Sequence, residues 1–394
     1  AEVADSWGMS MPSNNLLNEN ATSLMSDRVF AFSWARYLGK NNRWWNEEIY
    51  SGMSPGGVKW GNQTKPEELS ILLWMTLIYG ASGAMFWQYR PDYLAFESPG
   101  YNLASLDGKP TQRLEAVSED ILKIKEIYEH LPLGFFNSQV AIMNHQLSHE
   151  IFTYNELGDE FIQEIRGLFR NFWSDGIQAD IISPKTDLTN YKLILLPNIS
   201  IITDDVFNSI NDVLNSNKDT NLIATSNFGL YSDNGLSSYN PPDKFSEKLG
   251  VRISDFSTIT QEDINIGNNV LETPLGNYKI VKPTRFTILE QTNGSEAVAL
   301  LNGNIVGIEN LNKNFSWYGF SFEALSNKKD FYNSLSNKNN IFQQISVNRE
   351  NVIPIIRKSN KKGVLIFLFN LNEQDTICEV TLNIDIKSGV DLTK

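Results

Sequence analysis

Trp44-Trp45-Asn46-Glu47-Glu48-Ile49-Tyr50-Ser51-Gly52 is an apolar, aromatic-rich run that ends in a carboxylate pair and a glycine. A segment of this kind reads as a parallel strand that carries a charged side chain to the rim of a barrel before the chain turns away. Strict alternation along a strand would turn Glu47 and Glu48 to opposite faces, so only one of them would reach the rim. Further on, Phe86-Trp87-Gln88-Tyr89-Arg90-Pro91 repeats the pattern at the end of an uncharged run over 70–87. That run is nearly long enough to cross a bilayer, but Gly80 and Gly83 interrupt it. It is therefore read as a buried helix over 71–79 followed by a buried strand over 84–87, as covered parallel sheets require.

Working outward, short apolar strands alternate with amphipathic helices up to residue 131, ending in a helix over 111–130. Residues 138–227 repeat the alternation more plainly. Strands are expected at 140–143, 179–182, 193–196 and 222–225, with helices near 160–174 and 204–216, which predicts a doubly wound α/β sheet. Thr203 or Asp204 would cap the second helix by accepting from its free amide groups. Beyond residue 230 the abundance of Asn, Ser and Gly predicts a loop-heavy stretch. From residue 352 onward the runs at 364–369 and 379–384 suggest a small β module.

At 394 residues the chain exceeds what a single core usually organises, and its apolar content of 41% is enough to build more than one. The formal charge of -13, from 33 basic and 46 acidic side chains, argues against nucleic acid or an anionic membrane as partner. A neutral substrate fits better. Cys378 is the single cysteine, so no intrachain disulfide can form, which suits a reducing cytoplasm. Residues 1–12 lack the basic start and apolar run of a signal peptide.

With these motifs in hand, the chain resembles the β-galactosidases of glycoside hydrolase family 42. Glu48-Ile49-Tyr50-Ser51-Gly52 is similar to the family's nucleophile strand, and Phe86-Trp87-Gln88-Tyr89-Arg90 to its Phe-Phe-Gln-Trp-Arg strand. Glu97 and then Asp107-Gly108-Lys109-Pro110 follow in the family's order. Leu188-Thr189-Asn190-Tyr191-Lys192-Leu193-Ile194-Leu195-Leu196-Pro197 looks like the signature of its trimerisation domain. The resemblance implies an α/β architecture in three parts. Residues 1–131 would be the C-terminal part of a (β/α)8 TIM barrel (strands 6 to 8), 132–345 a flavodoxin-like doubly wound trimerisation domain, and 346–394 a small C-terminal β domain.

Three departures stand out. A short insertion separates Glu48 from the family's pocket tryptophan, placed at Trp60, and a histidine that often follows the second glutamate is replaced by the stretch 98–101. The family's first five strand and helix units, with the general acid of their Asn-Glu pair, have no counterpart here, and the chain is expected to enter at the sixth strand, around residues 3–9. Three strands cannot close a barrel, so a fragment of this kind would leave edges and one apolar face open.

A retaining glycosidase uses two carboxyl groups about 5 Å apart, one as nucleophile and one as acid. By the resemblance Glu48 is the nucleophile; taken in isolation, Glu47 and Glu48 would read as a solvated acidic pair. Trp60 and Trp87 would offer flat faces to a pyranose, with pocket favoured for Trp60 and core packing for Trp87. Glu97 would accept from sugar hydroxyls or stand as an exposed loop glutamate. Gln88 and Arg90 share a face by alternation, and Arg90 would hold a carboxylate or form a structural salt bridge. His145 and His149 sit four apart, but with Glu150 as the one further ligand in view they are read as loop residues. No metal or cofactor is expected, since 143–153 has no phosphate loop and 225–229 no nucleophilic cysteine.

The expected function is thus removal of terminal β-galactosyl groups by a homotrimeric enzyme, with this chain supplying the nucleophile. The alternatives are a non-catalytic assembly or sugar-binding fragment lacking the acid, and a related glycosidase acting on α-L-arabinopyranosides, β-fucosides or β-glucosides.

Overall fold

The computed structural model describes residues 5–12, 16–17, 20–39, 43–53, 55–56, 59–60, 63–94, 96–216, 219–237, 242–292, 294–372, 374–384 and 388–389. The chain divides into two compact units. The first comprises 1–137, 174–176 and 343–394, and the second 138–173 and 177–342.

In the first unit the chain runs β1 (Trp7–Pro12), α1 (Ala21–Leu38), β2 (Trp44–Tyr50), a short hairpin of β3 (Pro55–Gly56) and β4 (Lys59–Trp60), α2 (Pro66–Ile78), β5 (Gly83–Trp87) and α3 (Gln112–Glu126). Strands β1, β2 and β5 form a parallel sheet in the order β1-β2-β5. Helices α1 and α2 cover one face of it. The fully buried Trp44 stacks on Phe32 of α1 at 5.1 Å and donates to the Tyr79 carbonyl, while Asn46 donates to Thr76 of α2 at 2.9 Å. The opposite face leaves large apolar groups in solvent, with Trp45 38%, Met85 50% and Trp87 39% exposed. The uncharged run resolves as expected into helix α2 and strand β5, and among the described residues no helix is long and apolar enough to cross a membrane.

The second unit opens with β6 (Val140–Met143), α4 (Gln146–Tyr154), α5 (Gly158–Ser174), β7 (Ala179–Ile182), β8 (Leu193–Pro197), β9 (Ile201–Ile202), α6 (Asp204–Asn215), β10 (Asn221–Thr225) and β11 (Tyr231–Ser232). It continues with α7 (Ser246–Leu249), β12 (Val251–Ile259), α8 (Gln261–Ile266), β13 (Val270–Thr273), β14 (Gly276–Lys279), β15 (Thr284–Gln291), β16 (Glu296–Leu301), β17 (Asn304–Asn310), β18 (Phe315–Tyr318) and α9 (Lys328–Lys338). The parallel strands lie in the order β7-β6-β8-β10-β18, which is the flavodoxin order 2-1-3-4-5. The cores of β6 and β8 are buried at every position, as a sheet covered on both faces demands. Thr203 caps α6 as expected, accepting from the Val206 amide at 3.3 Å.

Two expectations need correction here. The stretch beyond residue 230 is not loop-heavy: strands β12 to β17 fill much of it, and β17, β16, β13 and β14 extend the sheet antiparallel from β18. Polar residues hid these strands because one face meets solvent; β12 reads Val-Arg-Ile-Ser-Asp-Phe-Ser-Thr-Ile with Val251 and Ile259 buried and Arg252 and Asp255 exposed. Of the two histidines expected in a loop after the first strand of this unit, His145 lies in one and His149 does not. His145 precedes the first residue of α4, with its ring Nδ1 2.9 Å from the Ser148 hydroxyl, and His149 lies within the helix, stacked on Phe161 at 5.0 Å. Among the described residues no group of three His, Cys, Asp or Glu is placed to hold a metal ion.

After residue 342 the chain rejoins the first unit as β19 (Ile345–Val347), β20 (Val352–Lys358), β21 (Val364–Asn370) and β22 (Val380–Leu382), paired antiparallel as β20-β21 and β19-β22. Arg357 of β20 is 4% exposed; its guanidinium donates to the Ile78 carbonyl at the end of α2 and lies between the rings of Tyr79 and Phe135, 4.8 and 4.4 Å from their centroids. A cation at a helix C-terminus completes the free carbonyls there and faces the negative end of the dipole.

Two buried groups give the second unit opposed responses to pH. Glu164 of α5 is fully enclosed and accepts from Asn198 at 2.7 Å, from Ser226 at 3.2 Å and from Thr225, just beyond or at the ends of β8 and β10. Burial pushes its carboxyl up from 4.5 to about 7, Glu323 adding to the rise and the hydroxyl donors opposing it. Its contribution to stability is therefore full below pH 4.5 and is lost as pH rises through about 7. Burial pushes His145 the other way, from 6.5 down to about 4, against the pull of Asp205 and Glu150, so its contribution is present above pH 6.5 and lost as pH falls. Urea unfolding across this range is expected to show Glu164→Gln removing the alkaline loss and His145→Asn removing the acid loss, each on the order of 1–3 kcal/mol. Unchanged pH slopes in both variants would exclude these groups as the cause.

Candidate functional site

The register of the first sheet decides which side chains meet. Met9 and Ser10 of β1 pair with Asn46 and Glu48, and Ala84 and Phe86 of β5 with Asn46 and Ile49, so β2 carries one residue more than either neighbour over the same span. This is a β-bulge at Glu47. It corrects the expectation that Glu47 and Glu48 point to opposite faces. Buried Trp44, Asn46 and Ile49 keep the helix-covered face across the bulge, while Glu47 lies over Gly8 and Glu48 accepts from the Ser10 hydroxyl, both on the open face of β1.

Because the three strands are parallel, their C-terminal ends form one edge, and Glu48 and Tyr50 stand near it on β2 and Trp87 on β5. The Trp87 indole donates to Glu97 at 2.8 Å, bringing the loop glutamate onto the strand end. Tyr50 packs against Tyr101 with ring centroids 4.8 Å apart. Burial first, then the nearby Glu48, Tyr101 and Glu97, raise its phenol above the ordinary value, because each opposes a negative charge on that oxygen. Glu48, Glu97, Tyr50, Trp87 and Tyr101 therefore gather at one edge. Ser51, fully buried, sits with its hydroxyl 3.2 Å from the carbonyls of Trp87, Gln88 and Tyr101 and ties the two strand ends to the 101 loop.

The remaining expected residues fall as follows. Trp87, expected in the core, lies at a strand end on the face opposite that covered by α1 and α2 and is 39% exposed. β5 ends at Trp87, so alternation does not carry on to Gln88 and Arg90. Gln88 is half-buried in the bend, its amide donating to the Tyr101 carbonyl and its carbonyl accepting from Leu103 at 2.9 Å. Arg90 is exposed, with its guanidinium 5.2 Å from the Tyr93 ring centroid. Trp60 lies in β4 opposite Pro55, and its side chain is outside the described residues. Sequence reading missed Ser10 and Tyr101 and assigned Tyr50 no role. Tyr50 lay in the quoted motif two residues after Glu48, whereas nothing in the spacing of Ser10 or Tyr101 announces their proximity.

A parallel α/β sheet with carboxylates and aromatic rings at its C-terminal edge, in a chain that also carries a doubly wound α/β unit, is the class of protein that fold and site define. Residues 138–290 match the family of β-galactosidase trimerisation domains. The β-galactosidase GanA of Bacillus subtilis (strain 168) is 25% identical over 214 residues, covering 46% of this chain and 31% of GanA. Among solved structures, the β-galactosidase of Rahnella sp. R3 aligns with a TM-score of 0.79 at 17% identity over 94% of this chain and 56% of that one. Gan42B, a GH42 β-galactosidase from G. stearothermophilus, aligns with a TM-score of 0.83 at 15% identity over 97% of this chain and 56% of that one. The chain thus spans about a third of GanA and somewhat over half of the two solved chains. Its resemblance to the glycoside hydrolase family 42 β-galactosidases is borne out, and those relatives are glycoside hydrolases.

The sheet and its edge depend on glycines where chains approach closely. A Cβ on Gly52 would meet the Asn102 backbone, on Gly83 the Trp45 ring, and on Gly8 the mobile end of Glu47. Substitution by alanine is therefore expected to destabilise in the order Gly52, Gly83, Gly8, with the first two costing about 1–3 kcal/mol and the last less. Thermal unfolding of the three variants measures the order, and a Gly8 cost equal to that of Gly52 would contradict the geometry.

Proposed function

We propose that the protein is a retaining β-galactosidase in which this chain supplies the nucleophile Glu48 and the wall of the sugar pocket. The observation that carries the reading is the meeting of Glu48 and Glu97 around Tyr50 and Trp87 at the C-terminal strand edge, where (β/α)8 enzymes hold their chemistry. In this reading the β1-β2-β5 sheet is the last three strands of a barrel, and its exposed Trp45, Met85 and Trp87 face the barrel interior. Residues 1–131, 132–345 and 346–394 are taken as barrel part, trimerisation domain and small β domain of a cytoplasmic homotrimer.

The Glu48 carboxylate attacks the anomeric carbon as the bond to the leaving oxygen breaks, and that oxygen takes its proton from a carboxylic acid. By the family resemblance that donor is the glutamic acid of an Asn-Glu pair. Water then cleaves the glycosyl ester and returns Glu48 as carboxylate. Trp87 offers its ring to the C–H face of the sugar, Glu97 accepts from hydroxyls, and Trp60, Gln88 and Arg90 complete the pocket. Galactosides are favoured over arabinopyranosides, fucosides and glucosides by the names of the relatives.

In the full-length enzyme Glu48→Gln is expected to abolish hydrolysis of a nitrophenyl β-galactoside, by at least about a thousandfold. Unaltered turnover would remove Glu48 from the mechanism. Because the bulge puts Glu47 on the same face, trapping with a 2-deoxy-2-fluoro-β-galactosyl fluoride and peptide mapping gives the sharper result. A label on Glu48 supports the assignment and a label on Glu47 replaces it.

A further inference from the structure

We infer that Ser10 is a positioning residue for Glu48: its hydroxyl, presented by the strand next to β2, holds one carboxylate oxygen and leaves the other aimed along the open face toward the sugar. The inference rests on the reading of Glu48 as nucleophile. It is carried by the register, by the hydrogen bond and by the composition of the face. The bulge sets Glu48 directly across from Ser10, and the hydroxyl donates to Glu48 Oε2. Without the extra residue the Met9 to Asn46 pairing would continue as Ser10 to Glu47, and Glu48 would fall on the helix-covered face beside Asn46 and Thr76.

Ser10 also fits the post by size and chemistry. On this face β1 offers Gly8, over which Glu47 lies, and then Ser10, so the two adjacent carboxylates have distinct seats on one strand. A hydroxyl holds a carboxylate without bringing a positive charge. A fixed cation would favour the free carboxylate over the neutral ester that it must become. The short serine side chain has a single rotor, so the carboxylate is oriented at low entropic cost.

Nucleophilic attack can be isolated from acid catalysis. In a 2-deoxy-2-fluoro-β-galactosyl fluoride the C–F bond breaks as the Glu48 oxygen bonds to the anomeric carbon. Fluoride then departs unprotonated, and the fluorine at carbon 2 slows hydrolysis of the ester. In the full-length enzyme Ser10→Ala is expected to lower the trapping rate and kcat for a nitrophenyl β-galactoside together, by about ten- to a hundredfold. The inhibition constant of isopropyl β-thiogalactoside is expected to stay within about twofold of wild type, because the sugar contacts are untouched. Ser10→Thr, which keeps the hydroxyl, is expected to restore both rates. If Ser10→Ala does not fold, Ser10→Thr against Ser10→Val decides the matter, since the pair has the same shape and differs in the hydroxyl. Wild-type trapping in the hydroxyl-free variant, or failure of threonine to restore it, overturns the inference. Activity surviving Glu48→Gln instead overturns the nucleophile assignment and is recognised separately.

Discussion

Between Asn46 and Ile49 the strand β2 carries one residue more than β1 or β5 can pair, and the surplus is absorbed at Glu47. The buried side chains of β2 are anchored on both sides of that point, Trp44 against Phe32 and Asn46 against Thr76 before it, Ile49 in the core after it. Neither anchor can slip without turning an apolar or hydrogen-bonded group out to water, so the irregularity has nowhere else to go. Its result is that two carboxylates share the open face, one resting over Gly8 and one held by Ser10.

The edge then closes by short ties. Ser51 links the ends of β2 and β5 to the loop that carries Tyr101, and Trp87 draws in Glu97 from that same loop. Tyr50 stands among these groups, its phenol held protonated by burial and by the carboxylates around it. The site is thus a property of three consecutive strand and loop segments, which explains why family resemblance reads so clearly in the order of the motifs. The second unit follows a different logic. Its parallel strands are buried on both faces, and its polar focus is the enclosed Glu164, which gathers donors from the ends of β8 and β10.

Much of this was legible in the residues themselves. The strands at 140–143, 179–182 and 193–196 stand out because covered parallel strands are continuously apolar, and Thr203 marks its helix start because a hydroxyl there answers free amides. Antiparallel strands such as β12 and β15 escaped because they mix polar and exposed residues with their few buried ones, so their composition resembles that of loops. Large aromatics usually pack in cores, so composition favours that place for Trp87; its 39% exposure depends on which face of the sheet it takes, which no local pattern reports.

The amino-acid sequence by itself determined the alternation of strands and helices, the doubly wound unit, the segment that carries Glu48 and the family it resembles, since all of these depend on local propensity and on motif order. Tertiary structure alone decided which face Glu47 takes, that Ser10 reaches Glu48, and that Glu97 meets Trp87. Those outcomes hang on register between strands distant in the chain. Register is set by how both faces pack at once, and a single strand read alone contains only one side of that bargain.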